Sequence, residues 1–77
     1  MSLIRIVRME CKQEKTPEFL EIFELNKALI RNSGGCLHLE LWQDADQSNI
    51  SYTYSIWKVK KDLENYRKSD LFRKVWL

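Results

Sequence analysis

The stretch Ile50-Ser-Tyr-Thr-Tyr-Ser-Ile-Trp57, running directly into Lys58-Val-Lys-Lys-Asp-Leu-Glu-Asn-Tyr-Arg-Lys-Ser-Asp-Leu-Phe-Arg-Lys-Val-Trp76, decides the fold. Alternation over residues 50–57 predicts a strand with Ile50, Tyr52, Tyr54 and Ile56 on one side and Ser51, Thr53, Ser55 and Trp57 on the other. A helix is expected from about Lys60 to Arg67. Ser69 can then cap a third, short helix that carries Leu71, Phe72, Val75 and Trp76.

Upstream, residues 3–11 read as a strand with Leu3, Val7, Met9 and Cys11 on one face and Ile4 and Ile6 on the other, so both faces are expected to be covered. Thr16-Pro17 reads as a helix start, with Thr16 as cap and proline in the first turn, where its missing N–H costs nothing. Phe19, Ile22, Phe23, Asn26, Leu29 and Ile30 form one stripe of that helix, and Ser33-Gly34-Gly35 stops it. A further strand, Cys36–Gln43, sets Leu37, Leu39 and Leu41 against His38, Glu40 and Trp42. The polar run 44–49 makes a hairpin connection to Ile50. The order strand, helix, two strands, helices predicts an α+β antiparallel sheet with helices on one face, in a single domain over residues 1–77.

Composition narrows the function classes. The chain has 77 residues, 44% of them apolar, with three each of Trp, Tyr and Phe, so a folded core is expected rather than disorder. A domain this small buries only about 60% of its unfolded surface, which favours a partner subunit. Net charge is +2, but residues 58–77 hold seven basic and three acidic side chains against six and eight before them. These basic residues alternate with apolar ones at helical spacing and read as a solvated helix face, so no nucleic-acid partner is expected. No run approaches a membrane span and the N-terminus lacks the form of a secretory signal, so a cytoplasmic location is expected. Cys11 and Cys36 form no CxxC pair and read as reduced thiols, and the lone histidine, His38, excludes a multi-histidine metal site.

With the faces assigned in this way, His38, Glu40, Trp42, Thr53, Ser55 and Trp57 are expected together on the sheet face away from the helices. Such a mixture of polar and aromatic groups suits a small-molecule cavity or a subunit interface. His38, oriented by Glu40, could accept a phenolic proton. Trp42 and Trp57 offer flat faces for stacking on an aromatic ring, and Tyr66 could close a cavity mouth with its hydroxyl outward.

The segments Ile4-Arg-Ile-Val-Arg-Met9, Gly34-Gly-Cys-Leu-His-Leu-Glu-Leu41, Tyr54-Ser-Ile-Trp57 and Tyr66-Arg-Lys-Ser-Asp-Leu-Phe72, with Trp76, resemble the antibiotic biosynthesis monooxygenase domains, including quinol-monooxygenase-like proteins. The resemblance spans essentially the whole chain. It implies a ferredoxin-like fold that pairs as a homodimer into a dimeric α+β barrel, with a ligand cavity between sheet and helices. It also implies oxidation of a small aromatic phenol or quinol by dioxygen with no bound metal, flavin or other cofactor. Such domains continue into a fourth strand beyond the Phe72/Trp76 helix, so this chain is expected to be C-terminally short and to lack that strand.

The same resemblance makes Trp57 a substrate-contacting residue. Thr53 stands where the family pattern has an asparagine that stabilises oxyanion and peroxy species, and a hydroxyl offers one donor in place of two. A haem-degrading branch carries a histidine and an asparagine at the positions of Trp76 and Val7, and tryptophan offers no lone pair to iron. The resulting expectation is a cofactor-independent monooxygenase with His38, Trp57 and Thr53 catalytic and Trp42, Glu40, Ser55, Tyr66 and Phe72 contacting substrate. The alternative is a noncatalytic dimeric module that binds a small ligand or stabilises an assembly.

Overall fold

The computed structural model describes residues 2–76. Strand β1 (Leu3–Glu10) leads through a short 3₁₀ turn (Gln13–Lys15) into helix α1 (Thr16–Arg31), followed by β2 (Cys36–Gln43), β3 (Ile50–Trp57), α2 (Lys60–Arg67) and α3 (Asp70–Trp76). The helix start differs from expectation by one residue. Lys15 occupies the cap position without a side-chain cap bond, because Thr16 is already helical and its hydroxyl donates back to the Lys12 carbonyl at 3.3 Å. At α3 the expected cap is present: the Phe72 N–H donates to Ser69 Oγ at 3.2 Å.

The strands pair antiparallel in the order β1-β3-β2, a ferredoxin-like arrangement in which the last strand takes the centre. The sheet formed by the described residues has three strands and does not close into a barrel, which corrects the α+β barrel implied by the resemblance. Closure takes a sheet of about eight tilted strands, whereas here β1 and β2 are both open edges. Among the described residues, no helix is long and apolar enough to cross a membrane.

Register fixes which side chains share a face. β3 sets Ser51, Thr53, Ser55 and Trp57 opposite Met9, Val7, Arg5 and Leu3 on one side, and opposite Gln43, Leu41, Leu39 and Cys36 on the other. All of these lie on the helix-bearing face. His38, Glu40 and Trp42 pair instead with Ile56, Tyr54 and Tyr52, on the open face with Ile4 and Ile6. The expected grouping of His38, Glu40 and Trp42 with Thr53, Ser55 and Trp57 is therefore corrected: the two sets are on opposite sides of the sheet. The irregularity between Cys36 and His38 also turns Leu37 out of the core, leaving it 44% exposed.

The core cluster joins Phe23, Ile30, Cys36, Trp57, Leu63, Tyr66 and Val75, with Leu3, Leu39, Leu41, Phe72 and Trp76 packed against it. Leu29 stays exposed, so the α1 stripe is narrower than its spacing suggests. Among the described residues nothing covers the open face, and Ile4 and Ile6 are 57% and 58% exposed.

Gly35, with φ of 86°, turns the chain from α1 into β2 and accepts a 2.7 Å hydrogen bond from the Lys58 N–H. A Cβ there would run into the Asp62 side chain, while one at Gly34 meets open space. Gly35→Ala should lower stability by about 1–3 kcal/mol, combining a left-handed backbone penalty with that clash. Gly34→Ala should be neutral or stabilising by up to about 1 kcal/mol, and urea denaturation of the two variants checks the contrast.

Burial raises the Cys36 thiol above its ordinary 9.0 against the pull of Arg31, and raises the Tyr66 phenol above 10.0 against the hydrogen bond from Trp76. Both groups ionise earlier in the unfolded chain, so their contribution is complete below the unfolded values and is lost as pH rises through them. The melting temperature should therefore fall as pH rises past the ordinary thiol value of 9.0 and go on falling beyond the ordinary phenol value of 10.0, toward the higher folded values. Cys36→Ala should shrink the early part of that fall, and thermal scans across the range measure it.

Candidate functional site

Between the helix-bearing face and α3 lies a cavity of about 190 Å³ lined by Arg5, Val7, Met9, Thr53, Phe72 and Trp76. Alternation along β1 delivers Arg5, Val7 and Met9, and β3 contributes Thr53 beside Val7. Phe72 and Trp76, four apart, fall on one face of α3. A dry apolar cavity of about 150 Å³ holds a benzene-sized ring, so this one admits a single aromatic ring with a polar substituent. A larger hollow of about 480 Å³ shares Met9 and Trp76 but opens as a furrow lined by Lys15, Glu18 and Lys74.

Thr53 is buried and reaches the cavity, as does Phe72. Trp57 does not line it. Its ring is 1% exposed and stacks on Tyr66 with centroids 5.0 Å apart, and its Nε1–H donates to Ser55 Oγ at 3.0 Å. Both the flat face and the donor proposed for substrate are thus engaged within the core, and the Ser55 hydroxyl is engaged with them. Tyr66 is buried too: Phe72 meets its ring edge-on at 5.4 Å, and its hydroxyl accepts from Trp76 Nε1. It supports the cavity wall rather than its mouth.

His38, Glu40 and Trp42 form a separate group on the open face. His38 Nε2 and Glu40 Oε2 are 2.7 Å apart, Trp42 Nε1 donates to Glu40 Oε1 at 3.3 Å, and Trp42 stacks on Tyr54 at 5.2 Å. The hydrogen bond with His38, helped by that from Trp42, holds the Glu40 carboxyl below its usual range. The group is bonded within itself, but the sheet separates it from the cavity. Its chemistry suits contact with another surface.

Four cavity residues lie outside the expected site set: Arg5, Val7, Met9 and Trp76. A signal existed for Arg5: it interrupts the apolar series Leu3, Val7, Met9 at a position whose side chain must face the core. Among the described residues, no three His, Cys, Asp or Glu side chains converge as a metal site.

Solved structures with the same architecture include a conserved protein from Methanosarcina mazei Go1, with a TM-score of 0.88 and 20% identity over 97% of this chain and 74% of that one. A candidate antibiotic biosynthesis monooxygenase from Nitrosomonas europaea aligns at a TM-score of 0.85 and 23% identity, covering 97% of this chain and 78% of the other. Another, from Caulobacter crescentus CB15, aligns at 0.83 and 17% over 96% and 71%. At these identities the likeness establishes the fold. No functionally curated protein matches the chain. The family model for antibiotic biosynthesis monooxygenases matches residues 2–75, and the chain belongs to that family.

Proposed function

We propose that the protein is a monooxygenase that oxidises a small aromatic phenol or quinol with dioxygen, without a bound metal or flavin, in the cavity beneath α3. The observation that carries this reading is the ring-sized space lined by the apolar side chains Val7, Met9, Phe72 and Trp76 together with Thr53 and Arg5. For a quinol, a ring C–H gives way to a C–O bond to one oxygen atom, and the other oxygen leaves as water. The four electrons that reduce dioxygen come from the quinol, which becomes a hydroxyquinone. Thr53 donates to the substrate oxygen as negative charge develops, the role in which a single donor is worth a factor of about 10² or more.

The open face supports a homodimer. Ile4, Ile6 and Trp42 are exposed large apolar side chains on one sheet surface, and the His38, Glu40 and Trp42 group lies among them. A noncatalytic ligand-binding module is the second reading, favoured by the absence of a carboxylate or imidazole from the six residues that line the cavity.

Oxygen uptake over a quinol panel separates the readings. Thr53→Val should lower turnover by about 10- to 100-fold, Val7→Phe should abolish it with the helical circular dichroism intact, and His38→Ala should leave it within about threefold of native. Background rates in the native protein and all three variants would remove the enzymatic reading and leave the binding one. In light scattering, the native chain should be dimeric and the Ile4→Lys, Ile6→Lys double variant monomeric; a native monomer would remove the homodimer.

A further inference from the structure

Arg5 is half-buried on the apolar face of β1 and lines the cavity, yet among the described residues it is paired with no acid. Among the described residues, every ion pair lies elsewhere: Arg8 with Glu10, Lys15 with Glu18, Lys27 with Glu24, His38 with Glu40, and Arg73 with Asp70. Arg67 is close enough for its charge to act on Arg5, and among the described residues it too has no acid partner. It lines an adjoining hollow of about 280 Å³ with Glu64, Lys68 and Phe72, so the Phe72 ring forms a wall of both spaces. The charged groups that line the two spaces are thus three cations and one carboxylate.

Two neighbouring guanidiniums without counterions are an unfavourable arrangement in a folded chain. Desolvation of Arg5, with the repulsion from Arg67 added, lowers its pKa, although arginine stays protonated at any physiological pH. A surface arginine normally escapes such a cost by extending into water. Here Arg5 lines a cavity with Thr53 and two aromatic side chains, where an oxyanion would relieve both the desolvation and the repulsion.

We propose that the cavity takes its aromatic ligand as an anion, with the ring between Phe72 and Trp76, the charged oxygen on Arg5 and Thr53, and Arg67 guiding the charge in at the rim. This rests on the cavity being the ligand site, as in the function proposed above. The shared chemistry is a planar ring bearing a phenolate or carboxylate oxygen. For a phenol or quinol substrate, Arg5 does what a general base does elsewhere: it favours the ionised, electron-rich form and leaves the proton to solvent.

The test uses the full chain and three probes. Calorimetric titration with benzoate and with neutral, near-isosteric benzamide reads charge selection, and 4-nitrophenol, whose phenolate absorbs in the visible, reads the ionisation state of a bound phenol. Benzoate should bind at least about 10-fold tighter than benzamide, the scale of one charge-assisted hydrogen bond. Bound 4-nitrophenol should show the phenolate band at a pH where the free probe is mostly neutral. Arg5→Met should erase the benzoate preference and the phenolate band while benzamide still binds. Arg67→Met should cost benzoate only about threefold and flatten its dependence on salt.

Equal affinities for benzoate and benzamide in the native chain, or a benzoate preference that survives Arg5→Met, would overturn charge selection and leave the cavity reading standing. Failure of all three probes to bind would overturn both.

Discussion

The stack of Trp57 on Tyr66 is the contact on which the rest of the structure depends. Trp57 closes the central strand, and its partner lies on α2, so one pair of rings joins the sheet to the C-terminal helices. Each ring is also fixed at its polar end, Trp57 by Ser55 and Tyr66 by Trp76, which leaves both rings buried with their polar groups satisfied. Phe72 against Tyr66, and Trp76 against Phe19 and Phe23, extend the contact to α3 and α1. An aromatic pair contributes only about 0.5–1.5 kcal/mol beyond its buried area, but these share members, and loss of one ring unseats its neighbours.

That network also explains why there is a cavity at all. The helix-facing positions of β3 before Trp57 are Ser51, Thr53 and Ser55, small side chains beneath helices held at the distance the large rings dictate. Where Ser55 lies, the Trp57 indole fills the gap with a hydrogen bond. Next to Thr53 the space is left, and Arg5, Val7 and Met9 of β1 form its floor. The packing that secures the helices therefore also opens the space beneath them.

Much of the element order could be read from the sequence, because period, proline and glycine act locally. The α3 cap at Ser69 and the helix stop at Gly34-Gly35 are legible from a few neighbouring residues. Face assignment was not, and β3 shows why. Its Ile and Tyr positions are more apolar than its Ser and Thr positions, so hydrophobicity alone turns the strand over. Close helix packing selected small side chains for the inner face, and the outer face kept the large ones. Leu37 misled for a related reason, since the irregularity beside Cys36 breaks the alternation that residue types imply. Turning β3 over places His38 and Trp57 on one face, whereas the register sets them on opposite faces. In the molecule, Thr53 and Phe72 are the members of the anticipated set that meet at the cavity, and Arg5 was hidden because a charge on an apolar strand is easily read as an exception.

The position of β3 at the centre of the sheet has a kinetic consequence. Among the described residues β1 and β2 do not pair with each other; each finds its strand partner in β3, the latest of the three in sequence. Until Trp57 has been synthesised, the preceding chain can form α1 but no complete ladder. The β2–β3 hairpin then closes across a short connection, while β1 must return from the far end of the sequence, with Leu3 meeting Trp57. Loop closure of that span is the slow entropic step, so the hairpin forms the template and β1 zips onto it last. Of the three described strands, the one that supplies the cavity floor is thus the last to join, and the cavity exists only once that sheet is assembled.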